Sequence, residues 1–198
     1  DEAGREECTF TARAVVEAKD CQTVTVAWPW PNPRLWDLDQ PNLYTLRMAA
    51  HGGGLDDEGT QTFGFREFWI EGRRLFLNGT EMRLRPVLAA SLSDPQEIAA
   101  AIRGYRWAGF NIAEIWPGPD AERDAAAWYD VADRLGWAMT GPVGHVWDAL
   151  KGWNDATVRR SYEGRTAAEL SHARNHPSIL MWGTNGNVFG SGLGMDPR

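Results

Sequence analysis

The stretch SDPQEIAAAIRGYRWAGFNIAEIW, residues 93–116, decides the fold because it holds a complete helix followed directly by a strand. Asp94 and Glu97 form an Asp-x-x-Glu capping box, which predicts that the helix begins there. Gly109 is predicted to end the helix, and the run from Phe110 to Trp116 is typical of a strand. The apolar residues of the helix recur at helical spacing, at Ile98, Ile102 and Tyr105.

The same alternation of strand and helix extends to both sides of this stretch. Further strands are predicted near residues 84–88, 137–139 and 178–182, and further helices near 128–135 and 155–174. Four such units in succession imply a parallel sheet with its helices outside it. Because an open sheet edge tends to pair with other chains, we expect missing strands to come from polypeptide beyond Arg198 or from a partner. The chain is therefore interpreted as a fragment.

The first seventy residues have an extended character instead. A glycine-rich segment at 51–54, followed by acidic residues at 56–58, is predicted to form a solvated loop. The dipeptide Asn78-Gly79 lies between two short strands and predicts a two-residue hairpin. The extended pattern before residue 70 is typical of a small β-sandwich, or of part of one, whereas the Asn78-Gly79 hairpin follows the change of character near residue 72. The predicted extended runs are Thr9–Val16, Gln22–Trp28, Leu43–Met48 and Thr60–Ile70.

Composition argues against several classes of partner. The net charge is −7 and no Lys/Arg run is dense, so no nucleic-acid partner is expected. No apolar stretch approaches the ~20 residues that cross a bilayer, so no membrane partner is expected. No Cys/His cluster has metal-ligand spacing, so neither a metal nor another cofactor is predicted. Cys8 and Cys21 lie in successive strand-like runs, where they either form a disulfide or remain buried thiols.

Five short blocks fit one family pattern in both order and spacing. They are LWD with PNLYTL (35–37, 41–46), FGFRE with FLNG (63–67, 76–79), GFN (109–111), DRLG (133–136), and RNHPSI with MW (174–179, 181–182). Together they resemble glycoside hydrolase family 2, which includes β-galactosidases, β-glucuronidases and β-mannosidases. The resemblance implies a multi-domain chain. Residues 1–70 would be the C-terminal part of an immunoglobulin-like β-sandwich, and residues 71–198 the first half, units one to four, of a (β/α)₈ TIM barrel.

The resemblance also implies where the catalytic groups would lie. In the family, the Glu of an Asn-Glu pair just past the fourth barrel strand is the acid/base, and a nucleophilic Glu comes from a later strand outside this chain. The pair falls here on Gly186-Asn187, and the amide of Asn187 cannot donate a proton to a leaving alkoxide. Asn185 is a candidate sugar ligand in its place. The family Arg at the end of strand two is Glu114 here, which is either a substitute catalytic carboxyl or a member of an ion pair inside the barrel.

Other candidate substrate-binding residues belong to the same predicted face. The end of strand one, residues 86–90, lacks the polar groups that the family carries there. Trp116 is either a stacking platform for a sugar or a cap on the barrel core. His145 and Trp147 lie on the long loop after strand three. His176 precedes strand four, where we expect it to fix the turn.

The resemblance thus implies a family 2 type hydrolase that acts on O-glycosyl bonds in β-linked carbohydrates, with a non-standard acid/base position. The alternative is a non-catalytic carbohydrate-binding or scaffold protein that has lost the catalytic acid. In both cases the partner is a carbohydrate, and the present chain alone is expected to be inactive. Export to the periplasm or the medium would suit an enzyme that meets polysaccharide.

Overall fold

The computed structural model describes Gly4 and residues 6–15, 23–115, 121–142 and 154–183. Five strands occupy the amino-terminal part of the described chain: β1 (Tyr44–Gly52), β2 (Leu55–Phe63), β3 (Phe68–Glu71), β4 (Arg74–Leu77) and β5 (Thr80–Met82). Strands and helices alternate after them: β6 (Pro86–Ala89), α1 (Pro95–Trp107), β7 (Ile112–Ile115), α2 (Ala121–Leu135), β8 (Ala138–Pro142), α3 (Ala156–Ala173) and β9 (Ile179–Gly183).

The last four strands form one parallel sheet in the order β6-β7-β8-β9. Neighbours in sequence are neighbours in the sheet, so each connecting helix links two adjacent parallel strands. The predicted alternation of strand and helix with a parallel sheet is confirmed for four strands and the three helices that connect them; a helix after β9 would lie outside the described residues. Their carboxyl ends consequently lie along one edge, where binding sites of α/β sheets are built.

Local sequence determines the helix ends. The Asp94 side chain accepts hydrogen bonds from the backbone N–H groups of Gln96 and Glu97, as its N-cap position requires. Gly109 after α1 and Gly136 after α2 have positive φ angles of 89° and 66°, which glycine adopts at little cost. Both predicted helix ends are confirmed.

Two apolar cores lie on opposite faces of the parallel sheet. On β7, Ala113 and Ile115 point into the core that the sheet shares with the helices, whereas Ile112 belongs to the core on the other face. The helix-side core contains Ile98, Ile102, Trp128 and Trp137. The second core combines the sheet with residues from the amino-terminal part, namely Trp36, Leu43, Leu77, Met82, Ile112, Ala138 and Leu180. The amino-terminal residues therefore cover the part of the inner face that carries Ile112, Ala138 and Leu180.

Tyr129 of α2 makes the helix-side core sensitive to alkaline pH. Burial raises the pKa of the Tyr129 phenol, and the Glu169 carboxylate raises it further. Since the unfolded phenol ionises near pH 10, this stabilisation is present below about pH 10 and is lost as pH rises toward the higher folded pKa. When the pH is raised, we expect the free energy of unfolding to fall less in the Tyr129→Phe variant than in the parent. The difference should be about 1 kcal/mol for each pH unit above pH 10. Urea unfolding at pH 8 and pH 11 measures this, and equal losses in both proteins would contradict it.

The amino-terminal hairpin corrects one prediction. Residues 56–58 were expected in a solvated loop, but they belong to β2, which pairs with β1 from Tyr44↔Phe63 as far as Gly52↔Leu55. Gly52, Gly53 and Gly54 all have positive φ angles, so the chain reverses within the glycine run and pairing resumes at once.

Two predicted strands are not observed. In Thr9–Val16 and Gln22–Trp28, the described residues 9–15 and 23–28 form neither strand nor helix. A strand needs a neighbouring backbone to bond with, and among the described residues β1 pairs only with β2. The alternation of apolar and polar residues was therefore not sufficient to predict a strand here. Val24, Val26 and Trp28, which were expected to share one face of a strand, are exposed. Cys8 is a free thiol, and Cys21 lies outside the described residues.

The predicted Asn78-Gly79 hairpin is confirmed. β4 and β5 pair antiparallel through Leu77↔Thr80, and both turn residues have positive φ, 50° at Asn78 and 86° at Gly79. The Asn78 side chain also accepts a hydrogen bond from Glu67 N and donates to Trp36 O. The turn thus ties the hairpin to the segment that contains Trp36.

Candidate active site

Glu114 lies on the inner face of the parallel sheet, the face opposite the helices. Its neighbours Ala113 and Ile115 point into the helix-side core, so alternation places Glu114 on the same side as Ile112. It is exposed, and it belongs to the carboxyl half of β7. Sequence alone did not determine which way this residue points.

Within the four described strands of the sheet, the row that contains Glu114 has no other charged residue. Leu88 pairs with Glu114, Glu114 with Thr140, and Thr140 with Met181. Leu88 is 61% exposed. Within the described residues no cationic side chain lies within 4.0 Å of Glu114.

Thr140 is a candidate that the sequence reasoning missed. It is half-buried and pairs directly with Glu114 across β7 and β8, so its hydroxyl belongs to the same inner row. The sequence feature that could have identified it is a polar residue directly after the apolar residues Ala138 and Met139 of the predicted third strand. The remaining predicted site residues, Trp116, His145, Trp147, Asn185 and Asn187, lie outside the described residues.

At the opposite, amino-terminal end of the strands, the RNHPSI block surrounds a buried carboxylate. Asp133 of α2 is 3% exposed and lies 2.6 Å from His176 Nδ1 through Oδ2. Its Oδ1 accepts a hydrogen bond from Ser178 N at 3.0 Å. His176 therefore fixes the turn before β9 through Asp133. This turn lies at the amino-terminal end of β9, opposite the end at which the cleft is predicted.

Two residues of the amino-terminal segment reach the same cluster. The Trp36 indole, fully buried, donates to Asp133 O at 2.8 Å. Arg66 donates to the carbonyl oxygens of Pro177, at 2.5 Å, and Ile179. Burial lowers the pKa of Arg66, an effect that the Asp133 carboxylate partly opposes. These residues from the quoted sequence blocks thus meet in a structural joint, which we define as Trp36, Arg66, Asp133, His176 and Ser178.

A cavity of about 610 Å³ also lies at the amino-terminal side of the sheet. Its lining includes Asp37, Arg85, Arg106, Asn111 and Trp137. Asn111 and Trp137 directly precede β7 and β8, whereas Glu114 belongs to the carboxyl half of β7. The cavity is therefore separate from the predicted cleft.

Within the described ranges, no group of three or more His, Cys, Asp or Glu side chains could hold a metal ion. The same residues include no helix that is both long and apolar enough to span a membrane.

Comparison with known proteins tests the resemblance. The model of the family "Glycosyl hydrolases family 2" matches residues 1–66. The β-galactosidase of Leuconostoc mesenteroides is 26% identical over 185 residues, which cover 87% of this chain and 17% of that protein. The resemblance to glycoside hydrolase family 2 is confirmed.

Solved structures of family 2 type enzymes show a similar fold. The β-glucuronidase of Parabacteroides merdae matches with a TM-score of 0.57 and 24% identity over 77% of this chain and 19% of that one. The GH2 β-galacturonidase of Eisenbergiella tayi, solved with galacturonate, matches with a TM-score of 0.61 and 18% identity over 81% and 29%. The exo-chitosanase CsxA of Amycolatopsis orientalis matches with a TM-score of 0.62 and 18% identity over 76% and 20%. The chain thus spans well under a third of the family 2 proteins it matches.

Proposed function

We propose that the protein is a glycosidase of the family 2 type that hydrolyses O-glycosyl bonds in β-linked carbohydrates. In this proposal residues 1–70 form the C-terminal part of an immunoglobulin-like sandwich, and residues 71–198 form units one to four of a TIM barrel. The match to the family over residues 1–66 and the parallel sheet β6-β7-β8-β9 support this arrangement. The sugar would bind at the carboxyl ends of the strands.

The position of Glu114 is the observation that carries the proposal. It presents a carboxyl group on the inner face, in the carboxyl half of β7. A glycosidase needs one carboxyl that gives its proton to the leaving glycosidic oxygen, and a second that attacks the anomeric carbon or activates water. We assign the proton-donating role to Glu114, because Asn187 replaces the usual acid with an amide. The second carboxyl would come from a later strand. Trp116, Trp147, His145 and Asn185 are proposed to line the same cleft.

The test is Glu114→Gln in the full-length gene product, assayed on a panel of aryl β-glycosides. We expect kcat to fall by about 10² to 10⁴-fold on substrates with poor leaving groups, since general acid catalysis contributes that much. The loss should shrink on substrates whose leaving group needs no protonation. Glu163→Gln, at an exposed position of α3, is the matched control and should retain parental activity. If both substitutions change kcat equally and only slightly, Glu114 is not the proton donor.

The amide at Asn187 favours a second candidate, a non-catalytic carbohydrate-binding or scaffold protein. The two candidates are separated by Asn187→Glu in the full-length gene product. If only the acid has been lost, the substitution should create hydrolysis where the parent only binds sugar. If Glu114 already serves as the acid, the new carboxylate should lower the existing activity.

A further inference from the structure

The start of β9 is held from outside its own sheet. Arg66, which lies more than a hundred residues earlier in the chain, donates through Nε to Pro177 O at 2.5 Å and through Nη2 to Ile179 O. The residue between these two carbonyls, Ser178, donates its N–H to Asp133 at 3.0 Å. One planar guanidinium therefore spans three successive residues of the backbone.

The pairing of β9 changes register immediately after this point. Met139 pairs with Ile179, but the next residue, Thr140, pairs with Met181, so Leu180 is an extra residue on β9. An extra residue of this kind re-aims the side chains that follow it. A slip of one residue would turn every following side chain to the other face of the sheet.

Nothing in the apolar pattern of β9 favours one register strongly. Ile179 packs in the helix-side core, while Leu180 and Met181 both pack against the core on the inner face. Two successive apolar residues on one face allow either of them to be the paired one. An anchor placed just before the extra residue would remove that ambiguity.

We propose that Arg66 is a positioning residue that sets the register of β9 and thereby aims the carboxyl end of that strand at the predicted cleft. A guanidinium suits this role because its N–H groups lie in one rigid plane and can bind two carbonyl oxygens at once, here those of Pro177 and Ile179 on either side of Ser178. A Lys ammonium is a point charge and cannot hold both in one fixed plane. The catalytic part of this inference rests on the proposed function, whereas the register of β9 does not.

The test compares Arg66→Lys with Arg47→Lys, a matched change at an exposed position of β1, in the full-length gene product. Amide hydrogen exchange is followed in peptides that cover residues 177–183 and, as an internal reference, α1. We expect exchange in 177–183 to accelerate at least tenfold in Arg66→Lys, with α1 unchanged. On an aryl β-glycoside we expect kcat to fall about tenfold or more with KM within twofold, because a displacement of about 1 Å can cost 10²-fold in rate. Arg47→Lys should match the parent in both measurements.

Three results would overturn the inference. Unchanged exchange at 177–183 would show that Arg66 does not hold the strand. Faster exchange across the whole chain would make Arg66 a general stabilising residue. Faster exchange confined to 177–183 with unchanged kcat would remove the positioning role. If the parent hydrolyses no glycoside, the proposed function fails, and the exchange data alone decide whether Arg66 sets the register.

Discussion

The Asp133→Ala substitution is expected to lower the free energy of unfolding by about 4 kcal/mol. It removes a carboxylate that is 3% exposed and bonded to both His176 and Ser178 N. The buried Ser178 N–H and the partly buried His176 ring would lose their partner, and the nearby Arg66 guanidinium would lose its neighbouring negative charge. Urea or guanidinium unfolding measures the change.

Asp130→Ala is the matched control for this prediction. Asp130 lies on the same helix, α2, but is exposed, so its removal should change stability by less than about 0.5 kcal/mol. If Asp133→Ala stays within about 1 kcal/mol of the parent, the joint contributes far less to stability than its buried hydrogen bonds indicate.

The second large effect is expected for Gly136→Ala. An added Cβ at Gly136 would lie 2.3 Å from Leu38 O and 2.9 Å from Asp37 O, both backbone atoms that cannot rotate away. The residue also has φ +66°, where a side chain costs about 1–2 kcal/mol before any clash. We expect a total loss of about 2–5 kcal/mol, since forced overpacking adds about 1–3 kcal/mol.

Gly109→Ala separates the two contributions. Gly109 likewise follows a helix with positive φ, 89°, but no atom of the described residues lies within 4 Å of its added Cβ. Its loss should therefore be limited to the conformational cost of about 1–2 kcal/mol. Equal losses at both glycines in denaturant unfolding would mean that the backbone at Leu38 moves away freely, and that the contact at Gly136 is loose.

The features that the sequence predicted well are those that short-range physics determines. Asp94 caps α1, Gly109 ends it, and the Asn78-Gly79 turn adopts its two positive φ angles, each from the properties of adjacent residues. The parallel order of the four strands followed from the alternation of helix and strand. Extended runs without a neighbouring strand gave no such constraint, and the prediction failed at residues 9–15 and 23–28.

The joint could not be predicted, because its partners are distant in the sequence. Trp36 donates to Asp133 O, and Arg66 to the carbonyls of Pro177 and Ile179, and no spacing rule links such positions. The strand that contains Glu114 could be predicted, but the face on which Glu114 lies could not, since Ile112, Ala113 and Ile115 are all apolar. Only the assignment of these neighbours to two different cores shows which face Glu114 occupies.

The shared core beneath the sheet has a practical consequence for anyone who dissects or recombines proteins of this type. Trp36 and Leu43 pack together with Leu77, Ile112 and Leu180, so the seam between the two predicted domains is itself an apolar interior. A truncated protein that starts at residue 71 would expose that interior to water. A chimaera with the sandwich of a relative would need a tryptophan at the position of Trp36. Boundaries chosen for expression or for chimaeras should therefore keep residues 36–66 with the strands they cover.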